Sequence, residues 1–168
     1  MSKIINLSSK KYPGHVCIID DEDFELLNQY TWYPDVPLFK NTIYAKGWVK
    51  TKYVKMHRFI MESHNHNIDK QDIDHEDHNG LNNQKENLRI CTPKQNSYNS
   101  IIPKSSITSS YKGVDFVKRN NKFRVRISGM HIGYFDNEID AALAYNNKAI
   151  ELYKEFAYLN VIKENINE

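Results

Sequence analysis

The clearest pattern along the chain lies between Lys122 and Ser128, where Lys-Phe-Arg-Val-Arg-Ile-Ser alternates without a break. A two-residue period puts Phe123, Val125 and Ile127 on one face of a strand and Lys122, Arg124, Arg126 and Ser128 on the other. Asn120-Asn121 reads as a two-residue turn of residues that tolerate positive φ, so Val114 to Arg119 is expected to pair with this strand as a hairpin. Gly129 marks the next turn, and His131 to Phe135 gives a third strand. From about Asn137 the period lengthens to that of a helix, with Ile139, Ala142, Leu143, Ala149, Ile150 and Tyr153 predicted as one apolar stripe against the sheet.

Earlier in the chain the pattern breaks into short pieces. Val16 to Ile19 is a brief apolar run, and Asp20-Asp21 is placed to cap a small helix through Phe24, Leu26 and Leu27. Ile43 to Trp48 and Tyr53 to Met61 read as strands, being rich in aromatic and β-branched residues, with Trp32 and Trp48 expected in the core. Ile73 to His75 and Leu88 to Cys91 read as two more short strands joined by a Gly/Asn-rich loop. Thr92-Pro93-Lys94-Gln95 is a capping box, so a helix begins at Pro93. Ser97 to Ser110 is a linker by composition. The fold class is therefore α+β. A β-rich segment at 1–55 leads into a strand–loop–strand–helix core at 56–100, followed by a Ser-rich linker at 101–110. A three-stranded antiparallel sheet plus one helix at 111–160 and a tail at 161–168 complete the order.

Composition narrows the class. The 168 residues are 40% hydrophobic and 12% aromatic, which supports packed cores rather than disorder. Apolar runs stay far below the roughly 18 residues of a membrane span. The opening Met1-Ser-Lys-Ile-Ile-Asn-Leu-Ser has no apolar core for a secretory signal, and Cys17 and Cys91 are isolated, so an intracellular, cytoplasmic setting is expected. The net charge of +2 says little, but its distribution says more. Lys40 to Arg58 holds six cations and no acid, and Tyr111 to Tyr134 holds six cations against Asp115 alone. Such segregation gives basic faces able to neutralise phosphates, or solvated strand edges that discourage aggregation.

Candidate chemistry concentrates after Ile73. Asp74 and Asn96 offer a carboxylate and an amide oxygen suited to Mg²⁺, and His75 is an imidazole whose pKa suits a general base. Asn96 sits where an apolar residue would complete a hydrophobic staple, and such local inconsistencies gather at functional sites. Asp74 and His75 serve one site only if the strand ends or bends there, because strand neighbours point to opposite faces. The same letters also suit Asx turns and caps in a chain that uses Asn throughout. Zinc is not expected, since His57, His64, His66, His78 and the cysteines lack ligand-pair spacing. His57 and Cys91 read as structural.

Met56-His-Arg-Phe-Ile-Met61, Asp74-His75, Asn82-Asn83 and Asn87-Leu-Arg-Ile-Cys-Thr-Pro-Lys-Gln-Asn96 together resemble the HNH endonuclease family, in its phage and homing-endonuclease branch with a ββα-metal fold. The resemblance implies that Asp74 and Asn96 bind one divalent cation, Mg²⁺ with Mn²⁺ as a substitute. It also implies that His75 activates water, that Asn87 orients the loop bearing it, and that the products are a 5′-phosphate and a 3′-hydroxyl. His78 stands where the family usually has Gly, and Asn82 where it often has Asp. The literal His64-Asn65-His66 carries none of these roles. Tyr111-Lys-Gly-Val114, Lys122 to Ile127, Gly133-Tyr-Phe135, Ala141-Ala142, Ala144-Tyr145 and Leu159-Asn160 are similar to the ethylene-response-factor (AP-two) type DNA-binding domain. That resemblance implies a sheet laid in the major groove, with contacts from Lys118, Arg119, Lys122, Arg124 and Arg126. The expected protein is a phage or mobile-element homing endonuclease. It would act as a monomer on double-stranded DNA, away from membranes, as a nickase or a double-strand cutter. Its rivals are a DNA-binding regulator with an inactive nuclease core and, less favoured, an RNA-binding module.

Overall fold

A computed structural model of the chain describes residues 1–38, 42–100 and 108–162. Lys40, residues 101–107 of the expected linker and residues 163–168 of the expected tail lie outside them. The architecture is mixed α/β, with several small antiparallel sheets and few helices, and contacts divide the chain into two units, Met1–Asn96 and Ser97–Glu168.

In the first unit three small sheets surround one core. β1 (Ser2–Asn6) pairs with β2 (Val16–Asp20), β4 (Tyr44–Val49) lies between β3 (Trp32–Asp35) and β5 (Lys52–Lys55), and β6 (Asp72–His75) pairs with β7 (Leu88–Cys91). The short helix α1 (Phe24–Leu27), α2 (Met56–Ser63) and α3 (Pro93–Tyr98) complete it. Cys17, Ile19, Leu27, Trp32, Met56 and Ile60 are the deepest apolar side chains.

Trp32 fixes the phase of β4. Its Nε1 donates to Leu27 O at 2.9 Å, and its ring lies so close to Gly47 that an added Cβ would sit 2.8 Å from Cε3. Gly47 therefore faces inward with Ala45 and Val49, and alternation turns Trp48 outward, where it is 53% exposed. The expectation of a core Trp48 is corrected on this ground. The strand expected over Tyr53 to Met61 is corrected too, since β5 ends at Lys55 and α2 starts at Met56. The buried positions Met56, His57, Ile60 and Met61 repeat at helical spacing, which only a helix turns to one side.

Two polar segments serve packing and helix closure. Asp20 makes no side-chain cap. Its carboxylate accepts from Lys85 N at 2.8 Å and from Gln84 Nε2 at 3.3 Å, tying β2 to the loop before β7. His64, Asn65 and His66 close α2, through His64 N to Ile60 O and His66 N to Met61 O, with Asn65 at φ +61°. His64 Nε2 also bonds Asp23 Oδ1 at 2.6 Å.

The second unit is a three-stranded antiparallel sheet in the order β10–β9–β8 with one helix on it: β8 (Val114–Val117), β9 (Lys122–Ile127), β10 (Met130–Phe135) and α4 (Glu138–Tyr153). Val125 and Ile127 are buried and Arg126 is exposed, as the alternation requires. Val117 pairs with Lys122, so four residues make the turn rather than two, and of its asparagines only Asn121 takes positive φ. Lys118 and Arg119 consequently lie on that turn and not on β8. Asn137 caps α4, its Oδ1 accepting from Asp140 N at 2.7 Å. The inward face of α4 is Ala141, Ala142, Tyr145 and Ala149, while Ile139, Leu143 and Ile150 are exposed, so the predicted stripe is rotated. The small residues bring the helix backbone near the sheet, and Tyr145 fills the space beside Gly113, where a Cβ would sit 2.1 Å from its ring.

Candidate functional site

The β6–β7 hairpin aligns Asp72 with Cys91, Asp74 with Arg89 and His75 with Leu88. The capping box predicted at Thr92 then starts α3, with Gln95 N donating to Thr92 Oγ1 at 3.2 Å and Thr92 N donating to Gln95 Oε1 at 2.8 Å. A fixed helix start puts Asn96 in the first turn, where its Nδ2 donates to Asp72 Oδ2 at 2.9 Å. Sequence reasoning missed Asp72. Its two-residue spacing from Asp74 was the available signal, since it places both carboxylates on one face of β6.

Asp74 is buried and accepts from Arg89 Nη2 at 2.5 Å, with Arg89 Nη1 also 3.7 Å from Glu76. The structure thus brings Asn96 to Asp72, and Asp74 to Arg89. Tyr44 registers both carboxylates. Burial raises its phenol pKa first, and the charges of Asp74 and Asp72 raise it further.

His75 ends β6 and is buried. Its ring stands edge-on to His57 at 5.0 Å and tilted to Tyr44 at 5.6 Å, and its Nε2 lies 3.4 Å from Asn83 Oδ1. Burial lowers the His75 pKa, while Asn83, Asp77 and Asp74 pull partly the other way. Burial, with His75, Lys55 and Arg58 nearby, holds His57 well below the usual histidine range.

The loop after His75 turns at once. His78 N donates to His75 O at 3.0 Å, and His78 takes φ +63°, the left-handed conformation that glycine adopts most readily. Asn87 ties this loop down, since its Nδ2 donates to Asp77 Oδ1 at 2.9 Å and Asn82 O at 2.8 Å while its Oδ1 accepts from Asp77 N at 3.0 Å. Burial alone would raise the Asp77 carboxyl, but the bonds from Asn82, Asn79 and Asn87 outweigh it and leave the pKa lowered. The loop also leans on the N-terminal hairpin, with Ile18 N donating to Leu81 O and Asn83 N to Ile18 O. Gly80 lets it approach β4, where a Cβ would sit 2.5 Å from Ile43 O.

A cleft of about 470 Å³ opens beside this core, lined among others by Tyr44, Lys55, His57, Arg58, Asp72 and Asn96. Arg58 spends its guanidinium on Gln71 O and Ile68 O, whereas the Lys55 ammonium lies over the Tyr44 ring at 4.5 Å. Among the described residues no three His, Cys, Asp or Glu side chains gather as a metal cage. Asp72 and Asn96 line this cleft and Asp74 shares a face of β6 with Asp72, and carboxylate and amide oxygens are the hard donor types that suit a cation that keeps waters and shares phosphate oxygens.

In the second unit the candidate cations face the sheet's polar side or its turn. Arg124 and Arg126 both reach Asp115, at 2.7 and 3.4 Å, and Lys122 reaches Asp136 at 3.0 Å.

Residues 54–98 match the model of an HNH endonuclease family, and that span contains Asp72, Asp74, His75, Asn87 and Asn96. The chain is 34% identical over 154 residues to a protein of Acanthamoeba polyphaga mimivirus described as the uncharacterized HNH endonuclease L560, covering 89% of this chain and 76% of that one. It is also 46% identical over 52 residues to Protein 3.8 of Escherichia phage T7, covering 31% of this chain and 42% of that one. No solved structure matches the chain. With most of its length and all of its candidate chemistry inside these matches, the chain belongs to the HNH endonuclease family.

Proposed function

We propose that the chain is a site-directed DNA endonuclease, of homing type, that hydrolyses a phosphodiester with one divalent metal ion and His75 as general base. HNH endonucleases generally use a divalent metal ion. Asp74 and Asn96 would hold it here as Mg²⁺, with Asp72 orienting the Asn96 amide through their 2.9 Å hydrogen bond. When bound, such an ion supplies Lewis-acid stabilisation of the charge that develops on the phosphorane and on the departing 3′ oxygen.

The remaining steps belong to side chains. A proton on Nε2, facing Asn83 Oδ1, puts the basic lone pair of the neutral His75 ring on Nδ1. His75 takes a proton from the attacking water as the O–P bond forms and the P–O3′ bond breaks, and the departing 3′ oxygen takes a proton from solvent water to become the 3′-hydroxyl. Asn87 holds the loop that carries His75, and Lys55 at the cleft rim offers a positive charge to phosphate. The polar face of the β8–β10 sheet, with Lys122, Arg124 and Arg126 and the turn residues Lys118 and Arg119, grips double-stranded DNA in the manner of an AP-two type domain.

The observation that carries this reading is that Asp72, Asn96 and His57 line one cleft, with the His57 ring against that of His75. The Arg89–Asp74 pair favours a rival, a DNA-binding regulator whose nuclease core is inactive because that carboxylate is already engaged. Supercoiled plasmid carrying candidate sites decides between them. The endonuclease nicks or linearises it with Mg²⁺ or Mn²⁺, stops with chelator, and loses cleavage but not binding as His75→Ala. Binding without metal-dependent cleavage at any site would establish the regulator.

A further inference from the structure

The outer face of β3–β4–β5 extends beyond the cleft described above, and its composition is unusual. Register and alternation put Tyr33, Lys46 and Lys55 in one row, Trp48 opposite Tyr53 in the next, and Asp35 opposite Tyr44 on the far side. Trp48 is 53% exposed, Tyr53 65% and Tyr33 40%. Trp48 and Tyr53 meet edge to face at 4.9 Å, and both rings stay exposed. From Thr42 to Met61 the chain holds Lys46, Lys50, Lys52, Lys55 and Arg58 and no acid. At its far side the face runs into the cleft, because Asp35, Tyr44 and Lys55 belong to both.

We propose that this face is a stacking platform for unpaired bases of DNA, so that the substrate is DNA locally opened beside the scissile phosphate. The inference rests on the endonuclease reading for its purpose, not for its chemistry. Exposed aromatic rings interleaved with lysines suit single strands, whose bases have free π faces, whereas a duplex keeps those faces stacked. A surface meant only for phosphates would leave its cations unengaged, yet Lys46 is bonded to Asp35 at 2.7 Å. Lys50 lies in the turn between β4 and β5 and Lys52 is paired with Val49, so on the face itself the exposed rings are the larger feature.

The test uses the full chain in chelator, so that no cleavage occurs, with a short oligothymidylate as probe and a blunt duplex of equal length as control. The only tryptophans are Trp32 and Trp48, and Trp32 is 1% exposed, so quenching of tryptophan emission reports Trp48. Oligothymidylate should quench it. Trp48→Ala with Tyr53→Ala should weaken oligothymidylate binding about 10-fold or more while changing duplex binding less than about 2-fold. Trp48→Phe should restore binding, since it keeps a ring face, and it guards against a folding defect in the double variant. Unchanged emission, or an equal loss on both probes, would overturn the platform. Plasmid cleavage is scored separately: its absence with quenching intact removes the endonuclease reading, and its presence without quenching removes only the platform.

Discussion

Asp72 and Asp74 illustrate what single residues do in this site. Asp74 was singled out because it stands beside His75 in a recognisable motif. Asp72 was not, because the strand was expected to start at Ile73, and a residue before the strand has no face to share. The observed strand begins at Asp72, and the Asn96 bond follows from that one-residue difference. Removing an outer partner of a metal ligand typically costs about 10- to 100-fold in metal affinity. Asp72→Ala should therefore raise the Mg²⁺ concentration for half-maximal cleavage by about that factor, with DNA affinity in chelator unchanged. An unchanged metal titration would show that Asn96 needs no help. Trp48 teaches the complementary lesson: a tryptophan in an apolar strand looks like core until Gly47, pressed against Trp32, fixes which way the strand faces.

At the scale of elements, capping chemistry was readable and packing phase was not. Thr92 to Gln95 formed the box its letters specify, because every bond in it is local. In α4 the alanines and Tyr145 won the buried face over Ile139, Leu143 and Ile150, since closeness of backbone to sheet is a tertiary property. Gly113 marks that closeness, with φ +74° and Tyr145 at its side. Gly113→Ala should destabilise the second unit by about 2–4 kcal/mol in denaturant unfolding, through both the backbone conformation and the clash. Lys112, next to it, donates to Tyr98 O and Ser100 O, and burial brings its pKa down to about 8 from 10.5. Between those pH values the unfolded chain binds the extra proton, so folding stability gains as pH rises from about 8 to 10.5. Thermal midpoints should show that rise for the wild type and not for Lys112→Met.

For the whole molecule, charge segregation was visible in the sequence, but its strength depends on pairing that only coordinates reveal. Asp115, the lone acid of its stretch, engages both Arg124 and Arg126 and mutes the sheet's positive face. Asp115→Asn should tighten DNA binding at low salt and steepen its salt dependence by about one unit in log–log slope, as released cations meet phosphate. A slope equal to wild type would mean this face stays off DNA. The chain divides into two units at Asn96, and the dependence of the loop after His75 on the first twenty residues had no local signal.

That dependence reaches beyond the atoms involved. Asp20 and Ile18 carry no chemistry, yet they hold the far side of the loop in which Asn83 meets the imidazole. A fragment trimmed to the recognisable motif would keep every signature letter and lose its rear wall. On the endonuclease reading, the minimal active piece would be set by what braces the histidine, and it would extend beyond residues 54–98.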